Sequence, residues 1–101
     1  MQVLQGAPVV TELLEGAGVW RRIPGAGFYV AFEGNDTVIL DLYDLTFVRL
    51  KGTTRADMDR LSLAELSQLA NGQERCYLSE LSVDLKSHLM KVLIPEKVRH
   101  L

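Results

Sequence analysis

Between Trp20 and Phe47 apolar and polar residues alternate with a period of two, and after Gly52 the period lengthens to three or four. A two-residue beat sends successive side chains to opposite faces of a strand, whereas a beat near 3.6 gathers them into one stripe on a helix. Six of the seven aromatic residues also fall between Trp20 and Phe47, as expected of strands. The change of period therefore predicts an α+β fold, sheet first and helices after it. Short runs over 19–23, 28–33 and 37–43, with a resumption over 46–51, predict an antiparallel meander of three to four strands across about residues 19–51. Two Gly-Ala-Gly turns, at 16–18 and 25–27, punctuate its start.

The turn around Gly34-Asn35-Asp36 sets the register of the central hairpin. A two-residue loop would set Glu33 against Asp36 and Phe32 against Thr37, an unfavourable meeting of like charges. A three-residue loop with a bulge pairs Phe32 with Val38, Val30 with Leu40 and Phe28 with Leu42, which makes one continuous apolar face. On that ground the three-residue loop is expected. The opposite face would then carry Tyr29, Ala31, Ile39, Asp41 and Tyr43, half-polar and open to solvent or a partner.

In the helical half, Ser62 with Glu65 forms a capping box, and Leu61 with Leu66 a hydrophobic staple. They predict a helix over about 63–70 that stops at Asn71-Gly72 in a left-handed cap. Leu78, Leu81, Leu85, Leu89 and Val92 make one stripe, predicting a second helix over about 79–94 that Pro95 terminates. Both helices are expected on one face of the sheet. Residues 1–14 and 73–82 are compatible with strand or helix, residues 55–60 with a turn or strand end, and the tail frays unless Val98 and Leu101 dock.

Composition narrows the class. A chain of 101 residues, 48% apolar and 24% charged, fits a single domain over 1–101 with a core that needs no staples. Eleven basic and thirteen acidic side chains leave a net charge of −2, too little to attract nucleic acid by overall field. The single cysteine, Cys76, excludes an internal disulfide and a multi-cysteine zinc site. Met-Gln-Val-Leu with no basic, then apolar, run predicts no signal peptide, and no apolar run approaches membrane-spanning length. A cytoplasmic location and no membrane contact are the expectation.

Candidate chemistry is sparse. The Gly-Ala-Gly turns precede strands and fit no phosphate-loop spacing. Trp20, Arg21 and Arg22, extended by Arg49, Lys51 and Arg55, offer an indole and guanidinium groups suited to stacking bases and holding phosphates. Strand alternation, however, sends Arg21 and Arg22 to opposite faces. Glu33, Asp36, Asp41 and Asp44 are clustered carboxylates without a calcium-loop spacing. Cys76 and His88 would sit about 18 Å apart on one continuous helix, and His100 lies in the tail. A helix-turn-helix over 62–81 would have Arg75 as the only basic residue of its reading helix, a poor reader of bases.

The chain therefore reads as a non-catalytic protein-binding or regulatory module, self-associating through Tyr29, Ala31, Ile39 and Tyr43. A nucleic-acid surface built on Trp20, Arg21, Arg22, Arg49 and Lys51 is the alternative, and an enzyme whose site forms only in an oligomer is a third reading. No cofactor or metal is expected.

Overall fold

Five antiparallel strands follow one another in sequence order across a single sheet: β1 (Arg21–Ile23), β2 (Phe28–Glu33), β3 (Asp36–Asp41), β4 (Thr46–Leu50) and β5 (Cys76–Tyr77). Four helices accompany them: α1 (Val10–Leu13), α2 (Arg55–Met58), α3 (Leu63–Asn71) and α4 (Val83–Arg99). This computed structural model describes residues 8–25 and 27–99, with side chains as far as Val92. The expectations for residues 1–7, for His100 and for docking of the Val98 and Leu101 side chains lie outside the described residues. The α+β meander is present, with five strands where three to four were expected. The added strand, β5, pairs Tyr77 with Thr46 and Cys76 with Phe47, inside the segment whose sequence suited either class.

The central hairpin takes the register that charge repulsion argued against. Glu33 lies opposite Asp36, Phe32 opposite Thr37, Val30 opposite Ile39 and Tyr29 opposite Leu40. Gly34 at φ +61 followed by Asn35 at negative φ makes a two-residue turn of the II′ kind, whose twist matches the strands and which needs glycine first. The like charges are reconciled from a third strand. Arg49 on β4 donates to Glu33 Oε1 at 2.8 Å and to Asp36 Oδ2 at 3.2 Å, so a guanidinium stands between the two carboxylates.

A shift of one residue exchanges every side chain between faces, and its consequence here is a sheet buried on both sides. Tyr29, Ala31, Val38, Leu40 and Phe47 pack with Trp20 beneath Leu81, Leu85 and Leu89, the stripe that α4 continues. Val30, Ile39, Val48 and Leu50 pack on the other side with Val10, Met58 and Leu66 from α1, α2 and α3. The two C-terminal helices thus cover opposite faces, not one. The nearly unbroken apolar runs of β2 and β3 are what two-sided burial demands.

Local signals were accurate where they were local. Ser62 Oγ accepts from Glu65 N at 3.2 Å and Glu65 Oε1 from Ser62 N at 2.8 Å, and Leu61 and Leu66 join one cluster. The cap at the other end differs: Gly72 has φ −83 and continues the right-handed turn. The short α2 was not expected, although Thr54 and Asp57 spell the same box that opens it. Helix α4 begins later than the stripe suggested, because a 3-10 turn over Leu78–Glu80 presents the first leucines. Its backbone then runs through Pro95 to Arg99, although proline removes one helical hydrogen bond and its ring crowds the carbonyl four residues before it. Among the described residues no helix is long and apolar enough to cross a membrane.

Candidate functional site

At one end of the sheet the β3–β4 turn, the last turn of α3 and the start of β5 converge on a buried carboxylate. Asp41 closes β3 on the face that α3 covers. Its Oδ1 accepts from Tyr43 N at 2.9 Å and Asp44 N at 3.3 Å, which folds the chain back into the turn. Its Oδ2 faces Arg75 Nη1 at 3.2 Å, and the same nitrogen reaches Asp44 Oδ2 at 3.0 Å and Thr46 Oγ1 at 3.3 Å. Arg75 therefore ties the segment before β5 to the tip of the β3–β4 hairpin. Burial of Asp41 is tolerated because both oxygens are hydrogen-bonded and a cation faces it.

Beside this pair a pocket of about 100 Å³ runs between sheet and α3. Ile23, Phe28, Ile39, Val48 and Leu66 supply apolar wall; Asp41, Thr46, Ser67, Asn71 and Arg75 supply polar groups. Outside it, the turn exposes what a fold ordinarily hides. Tyr43 is 81% exposed, Leu45 53% and Tyr77 73%. Leu45 also stands at φ +58, the only non-glycine residue at positive φ among those described. Gly27 is at φ +67, a conformation that favours glycine, and its Cα faces the Tyr43 ring.

A second polar cluster sits at the opposite end of the sheet. Beyond the Arg49 pairs, Glu33 Oε2 accepts from Ser82 Oγ at 2.5 Å, and Ser82 Oγ accepts from Leu85 N at 3.2 Å. Asp36 Oδ1 accepts from Gly52 N at 3.0 Å. The Ser82 hydroxyl, then Arg49, hold Glu33 below its ordinary pKa; the Gly52 amide, then Arg49, do the same for Asp36. Depressed carboxylate values mean stability that is complete above the unfolded values of 4.5 and 3.8 and is lost as pH falls through the lower folded ones. Arg49→Met is therefore expected to destabilise the protein more at about pH 7 than at about pH 3, because acid favours the protonated forms, which gain less from the cation. Urea unfolding at both values checks this; a gap that does not shrink on acidification would show that Arg49 acts by packing alone.

The residues singled out from sequence separate in space. Trp20 is 5% exposed, and its Nε1 donates to Leu85 O at 3.1 Å, so its ring is core and not a stacking platform. Arg22 faces Glu15 at 3.6 Å, Arg49 is held by two acids, and Arg55 lies over Phe32 with its guanidinium 5.7 Å from the ring centre. Arg21 and Arg22 alternate on β1, with two strands between them and Arg49 on β4 and the exposed Lys51 after it. These side chains do not make one patch. The expected association face also dissolves: Tyr29 and Ala31 lie under α4 and Ile39 under α3, because the register reverses β3 relative to β2. Of that set only Tyr43 reaches solvent.

Cys76 is half-buried on the α4 side. His88 Nδ1 lies 2.9 Å from Asp84 O on α4, and neither it nor Cys76 lines the Asp41 pocket. No group of three or more His, Cys, Asp or Glu among the described residues could hold a metal ion. The Asp41–Arg75 pair is half-visible in sequence: Asp41 belongs to a run of carboxylates, but nothing links it to Arg75, 34 residues away. Comparison with protein-family models, with curated proteins and with solved structures finds no match for this chain.

Proposed function

We propose that the protein is a non-catalytic binding module whose partner is a second copy of itself, engaged through the end of the sheet that carries Tyr43, Leu45 and Tyr77. The observation that supports this reading is the exposure of three large apolar side chains around a paired acid and base. Tyrosine and arginine are the residues that dominate interface energetics, and a monomer gains nothing by displaying them together. A two-fold interface must be self-complementary. This surface is so in charge, since Asp44 and Arg75, each more than half exposed, can trade partners across an axis. The left-handed Leu45 adds to the argument: a branched side chain there costs about 1–2 kcal/mol, a cost that contact with a partner would offset.

Sedimentation over a wide concentration range tests the proposal. The wild-type chain is expected to shift from monomer toward dimer as concentration rises, and Tyr77→Ser combined with Leu45→Asn to stay monomeric. Asn accepts the left-handed conformation, so the Leu45→Asn change should also raise monomer stability by up to about 1 kcal/mol. A wild-type chain that is monomeric throughout, or a double variant that associates equally well, refutes the reading.

A further inference from the structure

The pocket between the sheet and α3 has a wall that matches one kind of small molecule. Its volume of about 100 Å³ is below the roughly 150 Å³ of a cavity that encloses benzene. A branched chain of about four or five carbons suits it better than a full ring. Its depth is apolar, formed by Ile23, Phe28, Ile39, Val48 and Leu66. Its polar groups are gathered to one side, where Ser67 and Asn71 on α3 are exposed and Arg75 crosses to Asp41.

Charge selects further. Arg75 is already shared by Asp41 in the wall and by the exposed Asp44 outside it. An anion entering the apolar depth meets a guanidinium engaged by two carboxylates, and a cation meets carboxylates engaged by Arg75. Either bears a desolvation cost that no free counter-charge in the wall offsets. An uncharged oxygen meets no such obstacle. Arg75 uses Nη1 alone for its three contacts, and its Nε and Nη2 make no hydrogen bond to the described residues; nor do the Ser67 hydroxyl and the Asn71 amide. These are donors, with Ser67 and Asn71 also able to accept, on the polar side of an apolar slot. That is the general form of a small-molecule site, apolar walls with a few convergent polar groups.

We infer that this pocket binds an uncharged small molecule with a branched aliphatic body and a hydroxyl or carbonyl oxygen, the body lying against Ile39 and Leu66 and the oxygen directed to Arg75 and Asn71. The inference does not depend on association at the turn, with which it shares only Arg75.

Three probes of equal body and different charge test it: isoamyl alcohol, isovalerate and isoamylammonium, titrated into isotopically labelled protein with amide resonances followed by NMR. The alcohol is expected to give saturable shifts confined to Asp41, Val48, Ser67, Ala70, Asn71 and Arg75, with half-saturation in the millimolar range normal for so small a ligand. The two ions should bind more weakly. Ser67→Trp, placed at the exposed rim, should abolish the alcohol's response while its spectrum elsewhere stays folded; Asn71→Leu is the second variant should the first perturb α3. A response to the alcohol that is absent up to its solubility limit, or that spreads over the whole chain, overturns the inference. Tighter binding of either ion does the same.

Discussion

Replacing Ile39 or Leu40 with alanine should lower the unfolding free energy by about 2–5 kcal/mol in each case, although the two residues are neighbours on one strand. In a sheet with one open face, adjacent positions alternate between large and small effects. Here both are interior. Leu40 is fully buried between Tyr29 and Phe47 beneath α4, and Ile39 is buried between Val30 and Val48 beneath the opposite helices. Each truncation removes apolar contact and leaves a cavity that a central strand cannot collapse to fill. Leu42→Ala supplies the contrast. That residue lies past the end of β3 and is only half-buried, so its loss should cost clearly less than either neighbour's. Denaturant unfolding of the three variants decides the register: were Leu42 as costly as Leu40 and Ile39 nearly silent, the three-residue loop would be the true one. Losses of this size are a large part of the roughly 5–15 kcal/mol that holds a domain together.

Trp20→Ala should be comparably damaging, at about 3–5 kcal/mol, and Trp20→Phe milder, because it keeps most of the ring volume and forfeits one hydrogen bond worth about 1 kcal/mol. The indole fills the space between the lead-in to β1 and α4, and its N–H to Leu85 O joins the N-terminal part of the chain to the last helix. As the chain's only tryptophan, it also reports on itself. Its fluorescence should be blue-shifted and shielded from acrylamide in the folded state and become exposed on unfolding. Circular dichroism can follow the variants that lack it. A Trp20→Ala protein as stable as wild type, with a quenchable indole in the parent, would return this residue to the surface and reopen the nucleic-acid reading.

Both results bear on how charge and shape share control of the hairpin. Judged as a pair, Glu33 and Asp36 repel, and a loop that separates them is the economical choice. The chain places Arg49 thirteen residues beyond Asp36, and once β4 lies beside β3 its guanidinium makes the repelling pair into a two-armed anchor. Ser82 then borrows Glu33 to set the first turn of α4, so one carboxylate helps fix both the hairpin and the helix over it. The turn chemistry pointed the right way throughout: glycine followed by asparagine is a two-residue loop signal. It was outweighed by an electrostatic argument that omitted a partner far away in sequence.

The candidate site was hidden for a similar reason. Nothing near Asp41 in sequence announces Arg75, and nothing about Ser67 or Asn71, ordinary polar residues of a short helix, announces a pocket. Conversely, Trp20 beside two arginines offers a nucleic-acid surface as an alternative reading, although strand alternation already divides the two arginines, and burial of the indole is what only the fold reveals. On a strand adjacency means separation, and the ring and the charges went to different environments.

Periodicity, caps and glycine positions depend on interactions within a few residues, so the order of strands and helices, the two-residue turn at Gly34 and the start of α3 at Ser62 were all written in the chain's local chemistry. Which face each strand presents, which helix covers it, and whether a charged residue is exposed or buried in a pair depend on contacts tens of residues apart. A shift of one position alters all of these while leaving the periodicity and the helix caps unchanged. That is why burial of both faces, the Arg49 anchor and the Asp41–Arg75 pocket came only with the folded chain: their energies are collective, and no short stretch of sequence contains both partners.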